Sequence, residues 1–223
     1  MSKRIISPIL AVTCAMAAVG LWYFWAQPLP PRGSLSVAEA AGVALARQAL
    51  DVSGAGPHVT LITRDTETFR QPALDALTAA FKGELRRGGG ILDSVQRIQV
   101  DPLRPLEVPP GDFSEFIRKS RDGAVLVSLM GPPLLDGEQW QKLGRIKPKI
   151  VAFCPGALVE TLDLRRFFEA GHLHAAVVSR PETLRSSVRS AAGPSAVAST
   201  AVEDFDHLYL TVKSSETSKL PKY

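Results

Sequence analysis

Six residues pair reactive or charged chemistry with a place just beyond a short apolar run: Arg64, Asp65, Ser128, Cys154, Ser179 and Arg180. The runs are Val59-Thr60-Leu61-Ile62, Ala124-Val125-Leu126-Val127, Ile150-Val151-Ala152-Phe153 and Ala175-Ala176-Val177-Val178. Two guanidinium groups, a carboxylate and hydroxyls on one rim suit a hydroxyl-rich or anionic small molecule. The same side chains also serve an ordinary purpose, capping helices and satisfying loop backbone. Arg64, Asp65, Ser128, Ser179 and Arg180 are therefore the candidate ligand- or partner-binding residues.

Catalytic chemistry has less support. An enzyme site near Arg64, Asp65 and Cys154 would need a base for the thiol, and no histidine is placed to supply one. A small apolar role in the core is the simpler reading of Cys154. Gly88-Gly89-Gly90 matches neither a dinucleotide nor a phosphate-binding loop, and it follows a helical pattern, where a C-cap and turn explain it. No G-x-S-x-G elbow is present. His172 and His174 alternate across the start of a strand and so point to opposite faces, while His58 and His207 stand alone. No metal site and no cofactor is expected.

The elements that must position the rim alternate along the chain. Besides the four apolar runs, a weaker one covers Ile91 to Val100 and a last one is Leu208 to Val212. Helical segments lie between them. Pro72 to Arg86 sets Leu74, Leu77, Phe81 and Leu85 on one stripe; Asp112 and Glu115 open the next at cap spacing, with Phe113, Phe116 and Ile117 inward. Asp136–Leu143 and Leu158–Ala170 complete the set, and Phe81, Phe116, Trp140 and Phe168 are expected to be buried. Strand–helix alternation with nearly continuous apolar strands predicts a single α/β three-layer sandwich over 58–212. Its sheet is mainly parallel, Rossmann- or flavodoxin-like. In such sheets ligands bind outside the carboxyl ends of the strands, where the six residues fall. Ser186 to Thr200 reads as a loose Ser/Ala-rich loop, and 213–223 as a flexible tail.

Before this domain, Ile5 to Ala26 is an uncharged run of 22 residues behind Lys3 and Arg4. As a helix it reaches ~33 Å, enough to span a hydrocarbon core of ~30 Å. Ala15-Met16-Ala17 resembles a signal-peptidase site and Cys14 a lipid acceptor. However, cleavage after Ala17 would leave Leu21-Trp22-Tyr23-Phe24-Trp25 in water, and Ala11-Val12-Thr13 is a poor lipobox. An uncleaved signal anchor over 1–26 is expected, with Trp22, Tyr23 and Trp25 as an interfacial belt. The N-terminus then stays in the cytoplasm and the domain lies in the periplasm or outside. Residues 27–57 follow as a Pro-rich spacer and a helix starting at the Ser36-Val37-Ala38-Glu39 capping box.

The formal net charge is +4, two units of which come from Lys3 and Arg4, and the other basic residues are scattered, so no nucleic-acid partner is expected. With Cys14 in the apolar run and only Cys154 beyond it, the domain has no internal disulfide and must be stable by packing.

Several stretches resemble one lobe of the type I periplasmic binding proteins and LacI-like sugar-binding domains. They are Val59-Thr60-Leu61-Ile62-Thr63-Arg64-Asp65, Ala73-Leu74-Asp75-Ala76, Gly123-Ala124-Val125-Leu126-Val127-Ser128 and Phe168-Glu169-Ala170-Gly171-His172-Leu173-His174-Ala175-Ala176-Val177. Together with the anchor expected from the N-terminal run, the resemblance implies a membrane-anchored, extracytoplasmic, non-enzymatic domain that binds a small solute or a partner protein as an accessory to transport or sensing. Family members hold solute between two lobes, and this chain has residues for one. The resemblance therefore implies a protein partner or second copy completing the cleft, and weak, millimolar binding of free sugars or amino acids by one lobe. Two other readings compete with it: a structural or scaffold subunit of an envelope complex, and an enzyme with an unfamiliar site.

Overall fold

The computed structural model describes residue 16 and residues 32–54, 56–67, 70–100, 107–144, 148–156, 158–180 and 201–220. The compact unit Gly33–Tyr223 holds everything detailed below. The run Ile5–Ala26, apart from Met16, and the Ser186–Thr200 loop lie outside the described residues. Among the described residues, no helix is long and apolar enough to cross a membrane.

The elements run α1 (Arg32–Ser53), β1 (His58–Arg64), α2 (Pro72–Arg87), β2 (Ile91–Ile98), α3 (Pro110–Lys119), β3 (Val125–Ser128) and α4 (Gly137–Lys142). Then come β4 (Lys149–Cys154), α5 (Leu158–Thr161), α6 (Leu164–Glu169), β5 (Ala175–Ser179), α7 (Ala201–Leu208), β6 (Tyr209–Lys213) and a 3₁₀ helix (Ser214–Lys219). All six strands fall on the apolar runs. They form one sheet in the order β2-β1-β3-β4-β5-β6, parallel except for the antiparallel β5–β6 pair. This is the flavodoxin-like order with one strand added, and the chain reverses direction across the sheet at β1.

That reversal sorts the helices. Leu77, Phe81 and Leu85 of α2 share one apolar cluster with Val59, Leu61, Val125, Val127 and Val151; Phe113 and Ile117 of α3 join Ile62, Leu126, Ile150 and Ala176 in the other. Residues alternate between the two clusters along every central strand, as the two-residue period of a strand requires. β3 and β5 are buried along their whole length. β2 forms one edge and is half exposed. Its extra residue Asp93 makes a bulge opposite Val59 and Thr60, and charged Asp93 and Arg97 blunt the edge against further pairing.

Four details differ from the sequence reading. First, α1 begins at Arg32, ahead of the Ser36 capping box, and is a covering helix of the sandwich. Ala41, Leu45, Ala46 and Ala49 are fully buried in the α2-side cluster, and Lys149 and Lys213 bond the Val52 carbonyl and Asp51. Arg47 Nε also donates to Glu84 Oε1 on α2 at 2.9 Å, and this bond holds the Glu84 carboxyl below its ordinary pKa. Second, α3 starts at Pro110 behind Pro109, so Asp112 sits in the first turn and does not cap. Third, the helix expected over 158–170 is two short ones, broken at Leu162-Asp163. A continuous helix would turn Leu164 about 140° away from Val159, and the break lets both reach the core. Fourth, 213–223 is not a free tail through residue 220: Leu220 is buried and its carbonyl accepts from Arg165 Nη2 at 2.7 Å. Of the four aromatics expected inside, Phe81 and Phe168 are buried while Phe116 and Trp140 are only partly so, Trp140 stacking on His172 at 3.8 Å between ring centroids.

His174 joins β4 to β5. Its backbone N–H donates to the Ile150 carbonyl at 2.9 Å and its Nδ1 accepts the Ile150 N–H at 3.2 Å. Burial, and secondarily the charge of Lys149, pull its pKa below the usual imidazole value. The folded-state pKa is therefore below the unfolded one of ~6.5, so the unfolded chain takes up the proton more readily. Stability is complete above ~6.5 and falls as pH drops through that value toward the lower folded pKa. Urea midpoints measured from about pH 7.5 to 5 should show this decline, and His174→Asn, which can accept the same N–H without titrating, should flatten it. Parallel profiles for the two proteins would refute the assignment.

Candidate functional site

The sheet register decides whether the six rim residues meet. Ile62, Ser128, Ala152 and Ala176 lie in one row across β1, β3, β4 and β5. Arg64 and Cys154 stand two residues above that row, Ser179 three and Arg180 four. At ~3.3 Å per residue Ser128 is ~10 Å below Ser179, and Arg64 and Ser179 are three strand spacings, ~14 Å, apart. The alternation also puts Arg64 and Ser128 on the α3 face and Ser179 on the α2 face. The residues share the carboxyl edge of the sheet without converging on one point.

Each is also engaged within the fold. The Arg64 Nη2 lies 3.4 Å from the Val100 carbonyl, and Asp65 Oδ1 accepts the Glu67 N–H at 3.0 Å to form the turn after β1. Ser128 is fully buried and its Oγ accepts the Met130 N–H at 3.2 Å. Ser179 Oγ accepts the Gly156 N–H at 2.8 Å and so fixes the turn after β4. The Arg180 Nε donates to the carbonyls of Asp206 and Tyr209 at 2.6 and 3.2 Å, closing the end of α7 and tying it to β6. Cys154 is fully buried, and desolvation pushes its thiol up to about 12, so it supplies no thiolate near neutral pH. The enzyme reading thereby loses its nucleophile. Between these residues the loop Leu129–Pro133 is buried and crosses β4, the Gly131 N–H donating to the Phe153 carbonyl at 3.1 Å. Apolar chain, not polar side chains, occupies the middle of the rim. Among the described residues no group of His, Cys, Asp or Glu is arranged to hold a metal ion.

The sequence reading passed over the other end of the sheet. On the α3 face, Thr60 and Ser94 stand in a row where the neighbouring strands carry Leu126 and Ile150, and Gln96 stands two residues further along β2, opposite Ile62. Ser94 Oγ donates to Thr60 Oγ1 at 3.4 Å, and Gln96 Nε2 to Ser94 Oγ at 3.2 Å. They line a cavity of about 300 Å³ together with Asp93, Phe116, Lys119 at the end of α3 and Arg121 just beyond it. The signal was present as polar side chains at inward strand positions, hidden because β2 reads as a weak strand.

No family model matches the sequence, and no curated protein matches it. Solved structures do match. An ABC transporter solute-binding protein from Burkholderia graminis in complex with D-arabinose superposes with a TM-score of 0.51 at 16% identity, over 82% of this chain and 62% of that one. The glucose-galactose binding protein from Geobacillus stearothermophilus gives 0.51 at 14% identity, over 83% and 62%. A chain of the XylFII–LytSN complex gives 0.52 at 13%, over 80% and 60%. The fold is that of the type I periplasmic solute-binding proteins. The chain spans about three fifths of the length of these proteins.

Proposed function

We propose that this chain is a membrane-tethered, extracytoplasmic, non-enzymatic domain of solute-binding type that serves transport or sensing through a partner laid over its carboxyl rim. The observation that carries the reading is the flavodoxin-order sheet matched by sugar-binding proteins. Its rim side chains Arg64, Asp65, Ser128, Ser179 and Arg180 are already bonded within the domain. A solute held by one such wall keeps much of its surface in water and meets few unspent donors. A second wall, from another copy of this chain or a different protein, supplies what is missing. The tether is Ile5–Ala26, with Lys3 and Arg4 retained in the cytoplasm.

Titration calorimetry on the full chain in detergent tests the solute half of this reading. Neutral sugars (D-arabinose, D-galactose and D-fucose) should bind no better than millimolar, roughly −4 kcal/mol. A stoichiometric micromolar signal with any of them would mean one lobe suffices. A C-terminal reporter active only outside the cytoplasm tests the tether and should be active. Activity of a cytoplasmic reporter at that position, or a mature chain starting at Ala18, would overturn it.

A further inference from the structure

We infer that the cavity between β1, β2 and the end of α3 is a binding site for a small hydroxylated carboxylate, such as a sugar acid, separate from the carboxyl rim. About 300 Å³ lies at the lower end of the ligand-pocket range and suits a molecule of monosaccharide size. Its floor is unusual for this sheet. In the same layer, Ile62, Ile98 and Leu126 are buried apolar groups, whereas Thr60, Ser94 and Gln96 put two hydroxyls and an amide beneath α3. The contacts among the three are long, 3.4 and 3.2 Å, so incoming hydroxyl groups can improve on them. Asp93, held by His58 Nδ1 at 2.8 Å, keeps a second carboxylate oxygen able to accept from a sugar hydroxyl.

The mouth selects charge. Lys119 and Arg121 border the opening. Lys119 is already paired with the exposed Glu115, whereas no ion pair of Arg121 is present among the described residues. The Arg121 fork matches a carboxylate bidentately, which a neutral sugar cannot exploit. The groups divide the work: the floor reads hydroxyls and the mouth reads the anion. The site lies toward the amino ends of β1 and β3, so it survives even if the rim is covered by a partner.

D-galacturonate titrated into the full chain, with D-galactose as the neutral control, is the test. Saturable binding is expected for the acid, with galactose weaker by about 10-fold or more, because a charged hydrogen bond is lost. Arg121→Gln should weaken galacturonate binding about 10–100-fold, and raising salt should weaken it in the parent chain. Gln96→Leu should weaken both ligands. Lys142→Gln, on the exposed side of α4 and away from the cavity, should change nothing. The inference is overturned by absence of saturation with galacturonate, by equal binding of both sugars, or by equal sensitivity to Lys142→Gln and Arg121→Gln. Neutral-sugar binding that Gln96→Leu removes belongs to this cavity and leaves the rim reading intact, whereas neutral-sugar binding indifferent to Gln96→Leu counts against the rim reading and leaves this one intact.

Discussion

Phe81→Ala should lower the free energy of unfolding by ~3–5 kcal/mol, the range for emptying a fully enclosed aromatic site. Phe81 has no solvent exposure and lies in α2 among Leu45, Leu61 and Val127, held from both sides by α1 and the sheet. Neither layer can collapse into the vacated space without losing contact with the other. Phe168→Ala, with 5% exposure, should cost nearly as much. Phe116→Ala and Trp140→Ala should fall below that range, since both rings are only partly covered. Urea denaturation of the full chain in detergent, followed by circular dichroism, provides the comparison. Losses under about 1 kcal/mol at both Phe81 and Phe168 would mean that α2 and α6 present other faces to the sheet.

The contrast among those four aromatics shows what the sequence could and could not tell. Helical spacing alone puts Phe81 and Trp140 on inward stripes. Depth, however, depends on what lies beyond the helix, and α4 is a six-residue helix with no buried residue, whose Trp140 ends stacked on His172. The strands were legible because a parallel sheet covered on both faces demands continuous apolar runs, and the central ones in β3 and β5 have no exposed position. The candidate site was legible only as an edge. Motif positions said that Arg64, Ser128, Ser179 and Arg180 end strands. Pairing register, which fixes their heights and faces, is invisible in a single chain. The polar floor of Thr60, Ser94 and Gln96 escaped for the same reason, because the bulge at Asp93 resets which residues of β2 face α3.

Gly42→Leu should damage the fold at least as severely as the costliest core overpacking, ~3 kcal/mol or more. A methyl group built on Gly42 would lie 2.2 Å from the Leu77 carbonyl oxygen and 3.0 Å from the Phe81 nitrogen. Both are backbone atoms of α2 and cannot swing aside as a side chain would, so α1 and α2 approach main chain to main chain. Ala38, Ala41, Ala46 and Ala49 on the same helix keep that approach close. Leucine must push α1 outward, and with it go the burial of Leu45 and the ties from Lys149 to Val52 and from Lys213 to Asp51. Gly42→Ala should cost less. Its overpacking, ~1–3 kcal/mol, is partly offset by about 1 kcal/mol of helix propensity. Gly83→Ala in α2, where nothing lies within 4 Å, should be neutral or slightly stabilising by that same propensity. The series separates two roles for the segment between the apolar run and β1. Were α1 a mere spacer, all three substitutions would be silent or mildly stabilising. A steep order, with Leu far worse than Ala at position 42 and Ala harmless at 83, is what a helix wedged into the sandwich requires.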